Sequence, residues 1–76
     1  MKLSYDRKHN VAYLRFHEKT GPVTAIKISD EMNIDIAPDG TVYGIELLNA
    51  NQQLTSDRGS LILELGGRRR EIALVA

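Results

Sequence analysis

Met32-Asn33-Ile34-Asp35-Ile36-Ala37-Pro38-Asp39-Gly40-Thr41-Val42-Tyr43-Gly44-Ile45-Glu46-Leu47-Leu48 is the stretch on which the fold turns. Its first five residues alternate apolar and polar, the period of a strand with one face on a core and the other in water. Asp39 and Gly40 follow with turn chemistry, since Gly tolerates positive φ and Asp can bond its own backbone. A hairpin is therefore expected, with Asp39 and Gly40 as its structural turn. If Asp39-Gly40 is a two-residue loop, Ile36 faces Tyr43, Ile34 faces Ile45 and Met32 faces Leu47, so each inward residue meets an apolar partner. If instead a type I turn runs over Pro38-Asp39 with Gly40 as a bulge, Ile34 falls opposite Gly44 and Met32 opposite Glu46. The first register is favoured because it keeps the apolar face whole.

Upstream, Val23 to Ile28 reads as another strand. Ile26 and Ile28 share a face with Met32, Ile34 and Ile36 only if the connection has an odd number of residues. Asp30-Glu31-Met32 as a three-residue loop sets Lys27 opposite Asp35 as an exposed cross-strand ion pair. Nearer the start, Leu3 to Tyr5 and Val11 to Phe16 flank the polar Asp6-Arg7-Lys8-His9-Asn10, suited to a hairpin loop. Val11 and Tyr13 occupy one face of their strand, and Ala12, Leu14 and Phe16 the other, the pattern of a strand covered on both sides. His17 to Pro22 reads as a loop punctuated by Gly21-Pro22.

After the central hairpin, Leu47, Leu48, Asn51 and Leu54 fit one helical stripe, while Asn49, Asn51, Gln52 and Gln53 suit a loop equally well. Residues 48–55 are thus either a short helix or irregular, and Thr55 to Ser60 is a connector. Leu61 to Leu65, Gly66-Gly67 and Arg68 to Val75 have the form of a terminal hairpin. A two-residue Gly66-Gly67 loop places Glu64 opposite Arg69, Leu61 opposite Ile72 and Leu63 opposite Arg70. A four-residue loop pairs Leu63 with Ile72 and brings Glu64 to Glu71. The expected fold class is mainly β, or α+β if 48–55 is helical: a small antiparallel meander of hairpins in a single domain over 1–76, without repeat, low-complexity tract or linker.

Size constrains the assembly. For 76 residues and 8.5 kDa, area scaling gives about 4,700 Å² of folded surface and about 12,300 Å² unfolded. A core that small typically supplies only about 3–5 kcal/mol before some staple is added. The chain has no cysteine, which removes disulfides and thiolate metal sites, so association is the remaining staple. Leu61, Leu63, Ile72, Leu74 and Val75 form the candidate interface, because together with Ile62 they give more apolar surface than one small sheet can cover. A homodimer or higher homo-oligomer is the expected state.

Charge is segregated along the chain. Lys and Arg against Asp and Glu give +4 over residues 1–27, −6 over 28–57 and +2 over 58–76, within a net charge of zero. Such blocks can pair within one fold or between copies. Neutrality and a pI near 6.7 argue against a protein devoted to phosphate binding, which needs a basic face. At 42% hydrophobic and 26% charged, the composition is that of a folding chain. The opening residues lack the apolar run of a signal peptide, and the longest uninterrupted apolar stretch, Ile72 to Ala76, is too short to span a bilayer. The expectation is a cytoplasmic protein, off the membrane.

No reaction signature emerges. Asp35, Asp39 and Glu46 beside an Asp-Gly turn supply only part of the 6–8 oxygen ligands that calcium takes, so turn chemistry and solvated carboxylates account for them, and no metal or cofactor is expected. His9 and His17, with Tyr5, Tyr13 and Arg15, have no catalytic spacing and no orienting third residue. No Ser stands in a Gly-x-Ser-x-Gly elbow. Arg68, Arg69 and Arg70 are a candidate anion contact, yet along a strand at most two of them share a side.

Tyr5-Asp6, Asn10-Val11-Ala12-Tyr13-Leu14-Arg15-Phe16, Asn33-Ile34-Asp35-Ile36, Asp39-Gly40 and Tyr43-Gly44-Ile45-Glu46-Leu47-Leu48, in that order, resemble a bacterial family catalogued as domain of unknown function 2283. The resemblance covers roughly Met1 to Gln53. It implies a small, mainly antiparallel β-domain without an assigned activity, and some relatives look like partners of small neighbouring proteins in arrangements similar to toxin–antitoxin pairs. Ala37 stands where the family often has a second acidic residue, and the hairpin from Leu61 to Ala76 extends beyond the usual pattern. Two functions follow as expectations: a non-enzymatic protein-interaction module that self-associates, or a nucleic-acid or anion-binding module using Arg68 to Arg70.

Overall fold

A computed structural model of the chain describes residues 1–55 and 59–74. Seven strands and one helix follow in the order β1 (Lys2–Asp6), β2 (Val11–Arg15), β3 (Thr24–Ser29), β4 (Met32–Ile36), β5 (Val42–Leu48), α1 (Ala50–Thr55), β6 (Ser60–Leu65) and β7 (Arg68–Ala73). The first five strands form one antiparallel sheet in the order β1-β2-β5-β4-β3, and β6 and β7 form a separate two-stranded sheet. The expected antiparallel hairpins and the short helix are present. The strand order adds a feature of its own: residues 16–23 carry the chain from β2, inside the sheet, to β3 at its far edge.

The central hairpin combines both registers weighed from sequence. Gly40 N–H donates to the Ala37 carbonyl at 2.9 Å, and Ala37 N–H donates to that of Thr41 at 2.9 Å. This turn runs over Pro38-Asp39, with Gly40 at φ 92° and Asp39 outside the positive-φ region, as in a type I turn followed by a bulge. The two-residue Asp39-Gly40 loop is therefore corrected, as is its pairing of Ile36 with Tyr43: Ile36 lies opposite Val42. The register then shifts between Asp35 and Ile36, leaving Tyr43 as the extra residue, and Ile34 meets Ile45 and Met32 meets Leu47. Turn chemistry fixes the loop, apolar alternation fixes the strands, and the bulge reconciles them.

The β3–β4 hairpin uses the same device. Ser29 lies opposite Met32 across a two-residue Asp30-Glu31 turn, and a shift between Lys27 and Ser29 brings Ile26 opposite Ile34. Ile26 joins the apolar face as required, although the connection has an even length. The expected Lys27–Asp35 pair does not form: Lys27 is opposite Asn33 and its ammonium lies 3.1 Å from Asp30. In the first hairpin Asp6 pairs with Val11, so the loop has four residues rather than five. Asp6 bonds the backbone and ring of His9, at 3.2 and 2.7 Å.

The sheet is strongly two-sided. One face carries Leu3 and Tyr5 from β1, Ala12 and Leu14 from β2, Ile45 and Leu47 from β5, Met32, Ile34 and Ile36 from β4, and Ile26 from β3. No charged residue interrupts it. The opposite face carries Tyr13, Arg15, Asn33, Asp35 and Glu46 around Gly44. No second layer covers the apolar face: among the described residues the fully buried apolar positions are two alanines, Ala12 and Ala50, and no large side chain is fully buried. Helix α1, about 9 Å long at 1.5 Å per residue, touches the sheet at β2 and is too short to serve as that layer.

Candidate interaction surfaces

Gly66 and Gly67, at φ 54° and 82°, supply the pair of positive φ angles of a two-residue type I′ turn. That turn selects the register with Leu61 opposite Ile72, Leu63 opposite Arg70 and Glu64 opposite Arg69; the four-residue alternative does not form. Strand alternation then gathers Leu61, Leu63, Leu65 and Ile72 on one side of the hairpin, with Arg68 and Arg70 on the same side near its tip. These four apolar side chains are 42–68% exposed. Every residue of β7 is exposed, whichever face it occupies, so the hairpin does not lie flat on its own sheet. Leu74 N–H donates to the Gly59 carbonyl at 2.8 Å, which closes the base, and Leu74 is half-buried there. Val75 and part of the connector over residues 55–60 fall outside the described residues.

The three arginines divide as a strand requires, with Arg68 and Arg70 on the leucine side and Arg69 on the other. A shallow concavity at the tip is lined by Leu63, Leu65 and Arg68 to Arg70. None of the ion pairs among the described residues engages these guanidinium groups.

The polar face of the large sheet holds an arrangement that sequence reading did not single out. Tyr13 on β2 reaches across β5 and donates its hydroxyl hydrogen to Asp35 on β4 at 2.7 Å. The Lys19 ammonium lies 3.1 Å from the same carboxylate oxygen and 5.4 Å from the Tyr13 ring centroid. The phenol passes where a side chain on β5 would stand. A Cβ on Gly44 would meet the Tyr13 hydroxyl, the ring Cζ at 2.6 Å and the Leu14 carbonyl at 2.7 Å. Lys19 belongs to the connection over residues 16–23, so the cluster clips that crossover to the sheet. On the same connection, Thr20 and Tyr43 share a 3.4 Å hydrogen bond and His17 stands edge-on to the Tyr43 ring at 5.9 Å. The signal available in sequence was Gly44 itself, a glycine inside a strand, which often marks a close approach.

Electrostatics follow from this packing. Burial opposes the charge on Asp35, but the Tyr13 hydroxyl and the Lys19 ammonium together outweigh it and hold the carboxyl below its ordinary value. Burial and the adjacent Asp35 raise the Tyr13 phenol. The hydrogen bond to Asp35 raises Lys19. The hydroxyl, the carboxylate and the ammonium thus hold one another, and through Lys19 the cluster ties the crossover to the sheet.

The remaining candidates part company. Glu46 accepts from Asn33 at 2.9 Å and Asp39 accepts from the Thr41 N–H at 2.9 Å, which lowers the Asp39 carboxyl. Each of Asp35, Asp39 and Glu46 therefore serves a different partner. Among the described residues no group of three metal-ligating side chains forms. His9 and His17 sit at opposite ends of β2, and Tyr5 and Tyr13 lie on opposite faces of the sheet. No helix of the described residues is long and apolar enough to cross a membrane.

Over residues 2–51 the chain matches the family described as Protein of unknown function (DUF2283). Neither a curated protein nor a solved structure matches it. The matched span ends inside α1, so the cluster of Tyr13, Asp35 and Gly44 lies within the family region and the β6–β7 hairpin lies beyond it.

Proposed function

Because the chain belongs to the DUF2283 family, whose description carries no activity, we propose from its surfaces that it is a non-enzymatic protein-interaction module that self-associates. One observation carries this reading: the β6–β7 hairpin holds Leu61, Leu63, Leu65 and Ile72 in a single exposed stripe. A contiguous apolar patch on a small protein marks a surface that another protein covers. The reading places the module in the cytoplasm, where a cysteine-free chain draws stability from association instead of disulfides. Sedimentation analysis between about 1 and 100 µM tests it. A concentration-dependent shift from monomer to dimer is expected, and a monomer throughout overturns it.

Arg68 and Arg70, side by side near Leu63 and Leu65, support a second reading as an anion or nucleic-acid contact. Two neutralised phosphates give a log–log salt slope of only about −1.8 on duplex DNA, hence weak binding. Titration with a labelled oligonucleotide at several salt concentrations reads that slope, and binding indifferent to salt ends this alternative.

A further inference from the structure

The self-association just proposed leaves open what the hairpin meets, and three observations point to one answer. The chain exposes 5792 Å², about 1,100 Å² more than the roughly 4,700 Å² of a compact protein of its mass. Its radius of gyration is 13.7 Å, against about 11.4 Å for a compact chain of 76 residues. A standard interface takes about 800 Å² from each partner, so the surplus suffices for one. Two apolar surfaces are incompletely covered: the hairpin stripe, which is exposed, and the charge-free face of the five-stranded sheet, whose Leu14, Ile45 and Ile34 are only half-buried.

We propose that two copies exchange hairpins, each laying its Leu61–Leu63–Leu65 side across the apolar face of the other copy's five-stranded sheet. Stacking hairpin on hairpin would bring four arginines together without counter-charge and leave both sheets bare. Stacking sheet on sheet would leave both leucine stripes in water. Docking on the chain's own sheet is not the arrangement found, since β7 is exposed on both faces. Exchange covers all four surfaces under one two-fold axis, as an isologous dimer requires. It also fits the charge: besides Asp30, which Lys27 already pairs, the rim of the sheet carries Glu31 at one end of β4 and Asp39 beyond the other, both exposed. Arg68 and Arg70 at the hairpin tip are the complement.

The absence of native cysteine makes disulfide trapping clean. Leu63→Cys places a thiol on the hairpin and Ile34→Cys places one at the centre of the sheet face. When the two single variants are mixed and mildly oxidised, a 63–34 linked heterodimer is expected to dominate the covalent products by about tenfold. Dominance of 34–34 or of 63–63 links overturns the exchange while leaving self-association intact. In the double variant an intrachain 63–34 link in a monomer likewise overturns it. Monomeric behaviour of the native chain at 100 µM removes the underlying reading as well. Should Ile34→Cys fail to fold, Leu63→Asp with Leu14→Cys supplies the check: the charged hairpin is expected to weaken dimerisation at least tenfold and to expose the Leu14→Cys thiol to alkylation, and an unchanged thiol reaction rate overturns the proposal.

Discussion

Gly44 leaves room for one phenol, and through it the path of the chain is fixed. Tyr13 crosses β5 only because β5 has no side chain at that point, and Asp35 then holds both Tyr13 and the Lys19 of the crossover. Gly44→Ala puts a Cβ against the Leu14 carbonyl, which is backbone and cannot swing aside. Overpacking of this kind costs about 1–3 kcal/mol, a large share of what so small a core supplies. Urea unfolding should show a lower midpoint for Gly44→Ala with an unchanged slope. The same cluster sets a pH window. Asp35 is depressed below its ordinary 3.8, so its contribution is present above about pH 4 and is lost as pH falls through the folded value. Tyr13 is raised above 10.0 and Lys19 above 10.5, so theirs is present below about pH 10 and is lost as pH rises past the folded values. Thermal midpoints across pH 2–7 should fall on the acid side for the native chain, and Asp35→Asn should flatten that fall.

At the scale of elements, both β3–β4 and β4–β5 resolve a conflict between turn and strand by inserting one residue. Ile28 absorbs the mismatch in the first and Tyr43 in the second. The apolar alternation decides the strands because a slip of one residue would turn a whole strand's apolar side chains to water. The turn decides the loop because Pro38 fixes φ and Gly40 takes the positive φ that other residues avoid. Gly40→Ala should therefore cost about 1–2 kcal/mol, read as a lower urea midpoint, without changing the pairing of Ile34 with Ile45 as seen by cross-strand NOEs. Helix α1 shows the opposite dependence. Its first N–H groups, on Ala50 and Asn51, donate to the backbone and side-chain carbonyls of Asn10 at 3.0 and 2.7 Å. The cap comes from a loop some forty residues earlier, which is why residues 48–55 read equally as helix or loop in isolation.

At the scale of the whole molecule, the absence of a second layer among the described residues dominates. A sheet with one charge-free, mostly apolar face and, among the described residues, no large side chain fully buried has not buried the area that stabilises a chain of this length. If association completes that burial, folding and assembly are linked by mass action. The thermal midpoint should then rise with protein concentration, by several degrees per tenfold between about 1 and 100 µM, since about 1.4 kcal/mol per decade is a large change for a domain this small. A midpoint independent of concentration would contradict the linkage.

The antiparallel β class, the hairpin partners and the apolar side of β4 were legible in local alternation and turn residues, because period-2 patterning and positive-φ positions are properties of short segments. β2, expected to be covered on both sides, instead has one apolar and one polar face, and Ile28, expected on the apolar face, is taken up by the β3 bulge. The terminal leucine stripe was likewise legible, though its register waited on the Gly66-Gly67 turn. The strand order β1-β2-β5-β4-β3, the Tyr13–Asp35 contact over Gly44 and the capping of α1 by Asn10 were settled only in three dimensions. Each joins groups far apart in the chain, and no local pattern states which distant partner will satisfy a hydrogen bond or fill a gap.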